Sequence, residues 1–276
     1  MNSQFDGKVA LVTGGSSGIG LATAKLFAQR GATVYITGRR RKELDEAVRE
    51  IGRSATGISV IDIQGDVSRL GDIDKVFQTI REHKGKLDIL FANAGIGEFA
   101  PLGQITEEHF DKQFDVNVKG TLFTVQGALS LMPAGSAIVL NASLVSIKGN
   151  PAFSVYSATK AAIRSFARNW AVDLKGKGIR VNAISPGVIP TPGYHTSLGM
   201  TEQQVDDYIQ SVTPAIPLGR TGTTDEIAKA VAFLAPAIFF SISATPGYQF
   251  TSIPTGTQHE MRKPGAVMLL DRKVAI

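Results

Sequence analysis

The sequence predicts an α/β fold: a doubly wound parallel sheet with helices on both faces, built as a single domain with a divergent C-terminal tail. Three observations predict it. Short apolar runs recur along the chain, and segments with apolar residues at helical spacing separate them. The first run, Val9-Ala10-Leu11-Val12, enters the glycine-rich stretch Thr13-Gly14-Gly15-Ser16-Ser17-Gly18-Ile19-Gly20, which leads into the helical pattern of Leu21 to Ala28. A strand, a glycine turn and a helix start make an anion site, because glycine lets the backbone approach closely and the helix N-terminus presents unpaired N–H groups. Finally, 276 residues with 43% hydrophobic content suffice for one α/β core of good size.

Taken in order, Gly31 caps the first helix and Ala32 to Thr37 reads as the second strand. The basic run Gly38-Arg39-Arg40-Arg41-Lys42 precedes a charged helix, Glu43 to Ile51. Ser59 to Ile63 is strand-like, Ile73 to His83 helical, and Leu87 to Ala92 strand-like. A long helix is expected from Glu107 to Leu131, with Gly120 and Gly127 as its weak points. Ala137 to Asn141 reads as a strand, Val155 to Lys175 as a helix and Ile179 to Ile184 as a strand. From Pro186 to about Leu218 the chain is rich in Pro, Gly and Thr, with a helical piece near Thr201 to Gln210. Such an insertion after a strand's carboxyl end reads as a substrate loop, here about 188–218.

Composition narrows the function classes. The net charge of +5 is mild, and most of these charges are expected to be solvated surface, with no nucleic-acid partner. There is no cysteine, which removes disulfides, thiol nucleophiles and cysteine zinc sites. His83, His109, His195 and His259 are scattered, so no metal site is expected, and the phosphate loop of the common NTPases is absent. The start, Met1 to Asp6, lacks the layout of a signal peptide, and the greasiest run, Ala230 to Ala244, is short and broken by Pro236. A cytoplasmic protein without membrane spans is the expectation.

Tyr156 and Lys160 stand four residues apart, on one face of a helix. A neighbouring ammonium favours the tyrosinate, so Lys160 is expected to lower the phenol's pKa and fit Tyr156 for general acid or base work. Ser143 follows the strand Ala137 to Asn141 and lies thirteen residues before Tyr156, where its hydroxyl can hold a substrate oxygen. Trp170, on the same helix as Tyr156, reads as packing.

Together, Thr13-Gly14-x-x-x-Gly18-x-Gly20, Asn93-Ala94-Gly95, Ser143, Tyr156 with Lys160, and Pro186-Gly187 resemble the short-chain dehydrogenase/reductase family in order and spacing, over roughly Gly7 to Ala235. The resemblance implies a Rossmann-like nicotinamide-dependent oxidoreductase. Tyr156 would exchange the proton, Lys160 would tune it and hold the nicotinamide ribose, Ser143 would polarise the substrate oxygen, and Asn117 would hold a relay water behind Lys160. It also implies cofactor contacts from Gly14, Ser16, Ser17, Gly18, Ile19 and Gly20, from Asp66 and Val67 at the adenine, and from Asn93, Ala94 and Gly95. Pro186, Gly187, Val188, Ile189 and Thr191 would fix the nicotinamide face.

An acid after the second strand would bind a ribose hydroxyl and repel a 2′-phosphate. Gly38 occupies that place, followed by Arg39 and Arg40, so NADP(H) is expected, with Arg39 the main contact and Ser16 a helper. The expected reaction interconverts a carbonyl compound (ketone, aldehyde or 3-oxoacyl type) and its alcohol. Two other readings stay open here: a sugar or alcohol dehydrogenase working oxidatively, and a non-catalytic NADP(H)-sensing protein. Tyr194, Phe153, Leu144, Ile147 and the loop to Leu218 are expected to shape the substrate pocket.

After Ala235 the chain leaves the family's pattern, which ends in a last strand and gives contacts to a tetramer. Residues 1–235 are therefore expected to be the catalytic domain and 236–276 an atypical tail. Read one base earlier, codons permitted for Thr245 to Ile253 allow a run close to the family's last-strand pattern, so a shifted reading frame is the expectation for this tail. A homo-oligomer, dimer or tetramer, is expected where the tail permits, and Phe239-Phe240 would expose apolar surface.

Overall fold

The computed structural model describes residues 4–54 and 60–236. The expectations placed on Ser59, on His259, on Phe239-Phe240 and on the tail beyond Pro236 lie outside the described residues.

Six parallel strands form one sheet: β1 (Val9–Val12), β2 (Thr33–Gly38), β3 (Val60–Gln64), β4 (Ile89–Ala92), β5 (Ala137–Asn141) and β6 (Arg180–Ile184). Their order across the sheet is β3-β2-β1-β4-β5-β6, so the chain runs outward to one edge, returns to the centre and then runs to the other. This reversal beside β1 opens the crevice in which doubly wound sheets bind ligands. The predicted fold class is the observed one.

Helices α1 (Gly18–Gln29), α2 (Arg41–Ser54) and α9 (Thr224–Leu234) cover one face, and α3 (Leu70–Lys84), α5 (Gly120–Ala128) and α6 (Ser154–Asp173) cover the other. Alternation along the strands makes both cores. Val9 and Leu11 of β1 enter the core with Phe77, Ile80 and Ile163, while Ala10 and Val12 enter the core with Phe27, Leu44 and Val231. Each strand is thus buried on both sides, which is why these runs are continuously apolar rather than alternating. Arg180 on β6 donates to the carbonyls of Leu234 and Ala235 at 2.8 and 2.9 Å, closing the C-terminus of α9.

The long helix predicted over Glu107 to Leu131 is corrected to two helices, α4 (Glu107–Phe114) and α5, joined by one π-helical turn, Asp115–Lys119. The glycines do not break it. A Cβ at Gly127 would stand 2.6 Å from the Phe77 ring and one at Gly120 2.9 Å from Val67, so both serve close packing. The interruption lies at the π turn, which carries Asn117. Two short helices, α7 (Gly193–Thr196) and α8 (Glu202–Val212), build the loop after β6. No helix among the described residues is long and apolar enough to cross a membrane.

Candidate active site

A cleft of about 870 Å³ runs along the carboxyl ends of the strands, and every predicted cofactor residue except Gly20 lines it. Gly20 lies behind, where a Cβ would come 2.1 Å from the Gly14 carbonyl oxygen, so it lets α1 sit against the loop. Gly14 and Gly18 have φ of +64 and +54, and a Cβ on Gly14 would press on Ala94 at 3.0 Å. Ser17, at the N-cap of α1, makes no side-chain capping bond, and the first turn holds no acidic residue. The N–H groups at this helix start therefore face the cleft without a built-in anion, an arrangement that fits a dinucleotide's phosphates.

Asn93 acts chiefly as a brace. Its amide donates to the carbonyls of Thr13 and Gly14 at 3.0 and 3.3 Å, while the Thr13 hydroxyl accepts from the Asn93 and Ala94 N–H groups at 3.0 and 3.1 Å. These bonds set the Asn93 amide orientation, so its oxygen is the acceptor for the Asn141 amide at 2.8 Å. Asn141 was not singled out from the sequence. Its backbone carbonyl accepts the Lys160 ammonium at 2.7 Å, which joins the glycine loop to Lys160 in one chain of hydrogen bonds.

At the far end of the sheet, Ser143, Tyr156 and Lys160 meet above β5. The Ser143 hydroxyl faces the Tyr156 phenol across the cleft and pulls the phenol's pKa down. Burial outweighs it and pushes Tyr156 up to about 12. The expected net lowering by Lys160 is corrected: burial dominates, and the ammonium, 5.5 Å from the Tyr156 ring centroid, bonds to the Asn141 carbonyl and not to the phenol. Burial also brings Lys160 down to about 8, because the ammonium is removed from water without a carboxylate partner. The protonated phenol is therefore the favoured form at neutral pH.

Asn117 is buried, and the π turn aims its side chain at the segment after β4. Its amide donates to the Ile96 carbonyl at 2.8 Å and to the Thr159 hydroxyl at 3.0 Å, and its oxygen accepts the Ile96 N–H at 2.8 Å. Both amide protons are thus used, and one lone pair of the oxygen remains. A Cβ on Gly95 would lie 3.2 Å from that oxygen and 3.3 Å from the Lys160 ammonium, so Gly95 keeps the space between them open.

At the adenosine end, three successive arginines differ in their commitments. Arg41 pairs with Asp45 and Asp62, and Arg40 holds Glu43 at 2.9 Å. Arg39 has a loose 4.0 Å approach to Asp66 and lines the cleft half-exposed. A Cβ on Gly38 would fall 2.9 Å from the Ser16 hydroxyl, so a longer acidic side chain there has little room. Asp66 is turned toward Ser68, accepting its N–H and hydroxyl at 2.9 and 2.7 Å.

In the nicotinamide segment, the Pro186 carbonyl accepts the Leu144 N–H at 2.9 Å and the Val188 carbonyl accepts the Gly222 N–H at 3.1 Å. Ile189 sends its side chain into the core, so its contribution to the cleft is main chain. Of the expected pocket residues, Leu144, Phe153 and Tyr194 line the cleft. Ile147 does not: it is 54% exposed on the outer side of the turn after Ser143. Trp170 stacks on Phe166 at 4.5 Å and packs against the core. Tyr208, within the loop expected to shape the pocket, lines the cleft as well, whereas sequence reading missed Gly97 and Phe99, because no spacing or motif marks them.

This cleft, with a nucleotide-type glycine loop at one end and Ser143, Tyr156 and Lys160 together at the other, defines a dinucleotide-dependent oxidoreductase of the doubly wound class. A family model described as enoyl-(acyl carrier protein) reductase matches residues 14–242, and the chain belongs to the short-chain dehydrogenase/reductase family. The oxidoreductase asL5 of Sarocladium schorii is 44% identical over 234 residues, covering 84% of this chain and 90% of that protein. Versicolorin reductase stcU of Emericella nidulans is 38% identical over 246 residues, covering 85% and 90%. Among solved structures, the L-sorbose reductase of Gluconobacter frateurii, complexed with NADPH and L-sorbose, superposes with a TM-score of 0.79 at 31% identity, covering 86% of this chain and 92% of that one.

Proposed function

We propose that the protein is an NADP(H)-dependent oxidoreductase that interconverts a carbonyl compound and its alcohol, with residues 1–235 as its catalytic domain. The observation that carries the reading is the convergence of Ser143, Tyr156 and Lys160 in the same cleft as the uncapped start of α1. The glycine loop and Arg39 would hold NADPH, which would supply the hydride for the carbonyl carbon. Ser143 orients the carbonyl oxygen, and Tyr156, its phenol protonated at neutral pH, gives that oxygen its proton. Lys160, held by the Asn141 carbonyl, places positive charge beside the phenol as it becomes an anion. Asn117, with its remaining lone pair, is suited to hold the water that reprotonates the site.

Support for the phosphorylated cofactor comes from Arg39, whose guanidinium alone of the three arginines is loosely held at the cleft edge. A guanidinium matches a 2′-phosphate in bidentate fashion. The reductive direction draws support from relatives named as reductases.

The test is NADPH oxidation by the purified chain against a panel of ketones and aldehydes, with NADH in parallel. Turnover with NADPH that disappears in Tyr156→Phe is the expected result. NADPH binding without turnover of any carbonyl compound would point to a sensor built on the same fold.

A further inference from the structure

Resting on the carbonyl reading, we propose that Phe99 and Phe153 form an aromatic wall that selects ketones carrying a flat aromatic ring. The Tyr156 ring stacks on Phe153 at 4.4 Å and 28°, and Phe153 stacks on Phe99 at 4.6 Å and 30°. These three rings line one side of the cleft, from the proton donor outward to Phe99, which is 47% exposed. A side chain so exposed gains little from core burial, so its place at the end of a stack calls for another use.

Two backbone features hold this wall in place. Ala152 has φ of 56, the one non-glycine residue with positive φ among the described residues. Strain of this kind persists where the surroundings over-determine it, and it clusters at ligand sites. Here the turn directs Phe153 between Phe99 and Tyr156, and the Ala152 carbonyl accepts the Ala100 N–H at 2.8 Å, tying the turn to the Phe99 segment. Gly97 supplies the other feature. A Cβ there would lie 3.1 Å from the Tyr156 ring and 3.2 Å from Phe153, so glycine allows the segment to lie against both rings.

The remaining surface of this half favours the same ligand. Tyr194 and Tyr208, with centroids 6.1 Å apart, line it together with Leu198, Met200 and Val212. Arg220 and Glu226 neutralise each other, and Lys148 stands at the exposed rim. Asn150, Thr196, Ser197 and Ser211 also line this half, but against the stacked wall an aromatic ring gains from both area and quadrupole. A saturated ring of the same skeleton gains area alone.

The experiment compares 2-tetralone with trans-2-decalone, bicyclic ketones that differ in whether the second ring is aromatic. We measure kcat/KM for each with NADPH, and binding of each to the NADP⁺-saturated protein by calorimetry, in wild type, Phe99→Leu and Phe153→Leu. Wild type is expected to prefer 2-tetralone by about tenfold, and Phe99→Leu, at a half-exposed position that keeps the fold, to bring the ratio close to one. A wild-type ratio near one, a preference that survives both substitutions, or absent binding of 2-tetralone overturns the wall. Selective binding of 2-tetralone with no turnover of either ketone keeps the wall and overturns the carbonyl reading. Equal turnover of both does the reverse.

Discussion

Around Gly14 and Gly18 the cleft is walled by the glycine loop's main chain, with Gly14 leaving room for the Ala94 backbone and Gly20, behind it, for the Gly14 carbonyl. Around Tyr156 it is walled by side chains from the turn after β5, the start of α6, the segment after β4 and the loop containing α7 and α8. A main-chain wall offers repeated N–H donors that suit phosphates of any dinucleotide. A side-chain wall changes with each substitution and sets what a substrate must look like. The Thr13–Asn93–Asn141–Lys160 chain of hydrogen bonds is the bridge between the two.

The sharpest way to break the contrast is to remove chemistry from the side-chain half alone. Tyr156→Phe should lower kcat by about 1,000-fold, with a far smaller loss of NADPH affinity in fluorescence titration. Equal losses of both would show that the two halves are not separable. The converse change, Gly20→Ala, forces a methyl group into the Gly14 carbonyl, which a Cβ would meet at 2.1 Å. It should destabilise the protein by about 3 kcal/mol in urea unfolding and abolish NADPH binding. Arg39→Ala acts within the cofactor half without touching its main chain. The NADPH over NADH preference in kcat/KM should fall by about 30-fold, the loss of a charged hydrogen-bonding partner, with NADH turnover little changed.

A pH experiment reads the buried pair directly. Lys160 has its folded-state pKa lowered from 10.5 to about 8, so between those values the unfolded chain binds the extra proton and stability rises with pH. Tyr156 is raised from 10.0 to about 12, so stability falls again as pH climbs through that window. Lys160→Met should flatten the lower slope and leave the upper one, measured by chemical unfolding across the range. The smallest effect belongs outside both halves. Thr106 caps α4 by accepting the His109 N–H at 3.1 Å, and Thr106→Ala should cost about 1 kcal/mol of stability without altering kcat.

How much of this was readable in advance follows the same division. The strands were readable because burial on both faces makes them continuous apolar runs, as in Val9–Val12 and Ala137–Asn141. The glycine loop was readable because positive φ and close backbone approach admit almost no other residue. Tyr156 and Lys160 were readable because one helical turn places them on a common face. Asn117 was readable by its resemblance, yet the π turn that aims it was hidden, since a one-residue change in helical hydrogen bonding leaves no mark on apolar spacing. Ile147 was assigned to the pocket and faces outward, because the turn after Ser143 rotates each side chain in ways that local composition does not record.

By itself, then, the sequence determined the parallel sheet, the glycine loop at its carboxyl edge and the shared helix face of Tyr156 and Lys160. Each depends on neighbours along the chain or on a backbone geometry that few residues tolerate. Tertiary structure alone decided that burial rather than Lys160 governs the Tyr156 proton, that Arg39 is the loosely held arginine, and that Phe99 and Phe153 extend the Tyr156 ring outward. Those outcomes depend on desolvation and on contacts between separate segments, such as Arg39 with Asp66 and Phe99 with Phe153, and such quantities exist only once the chain has folded.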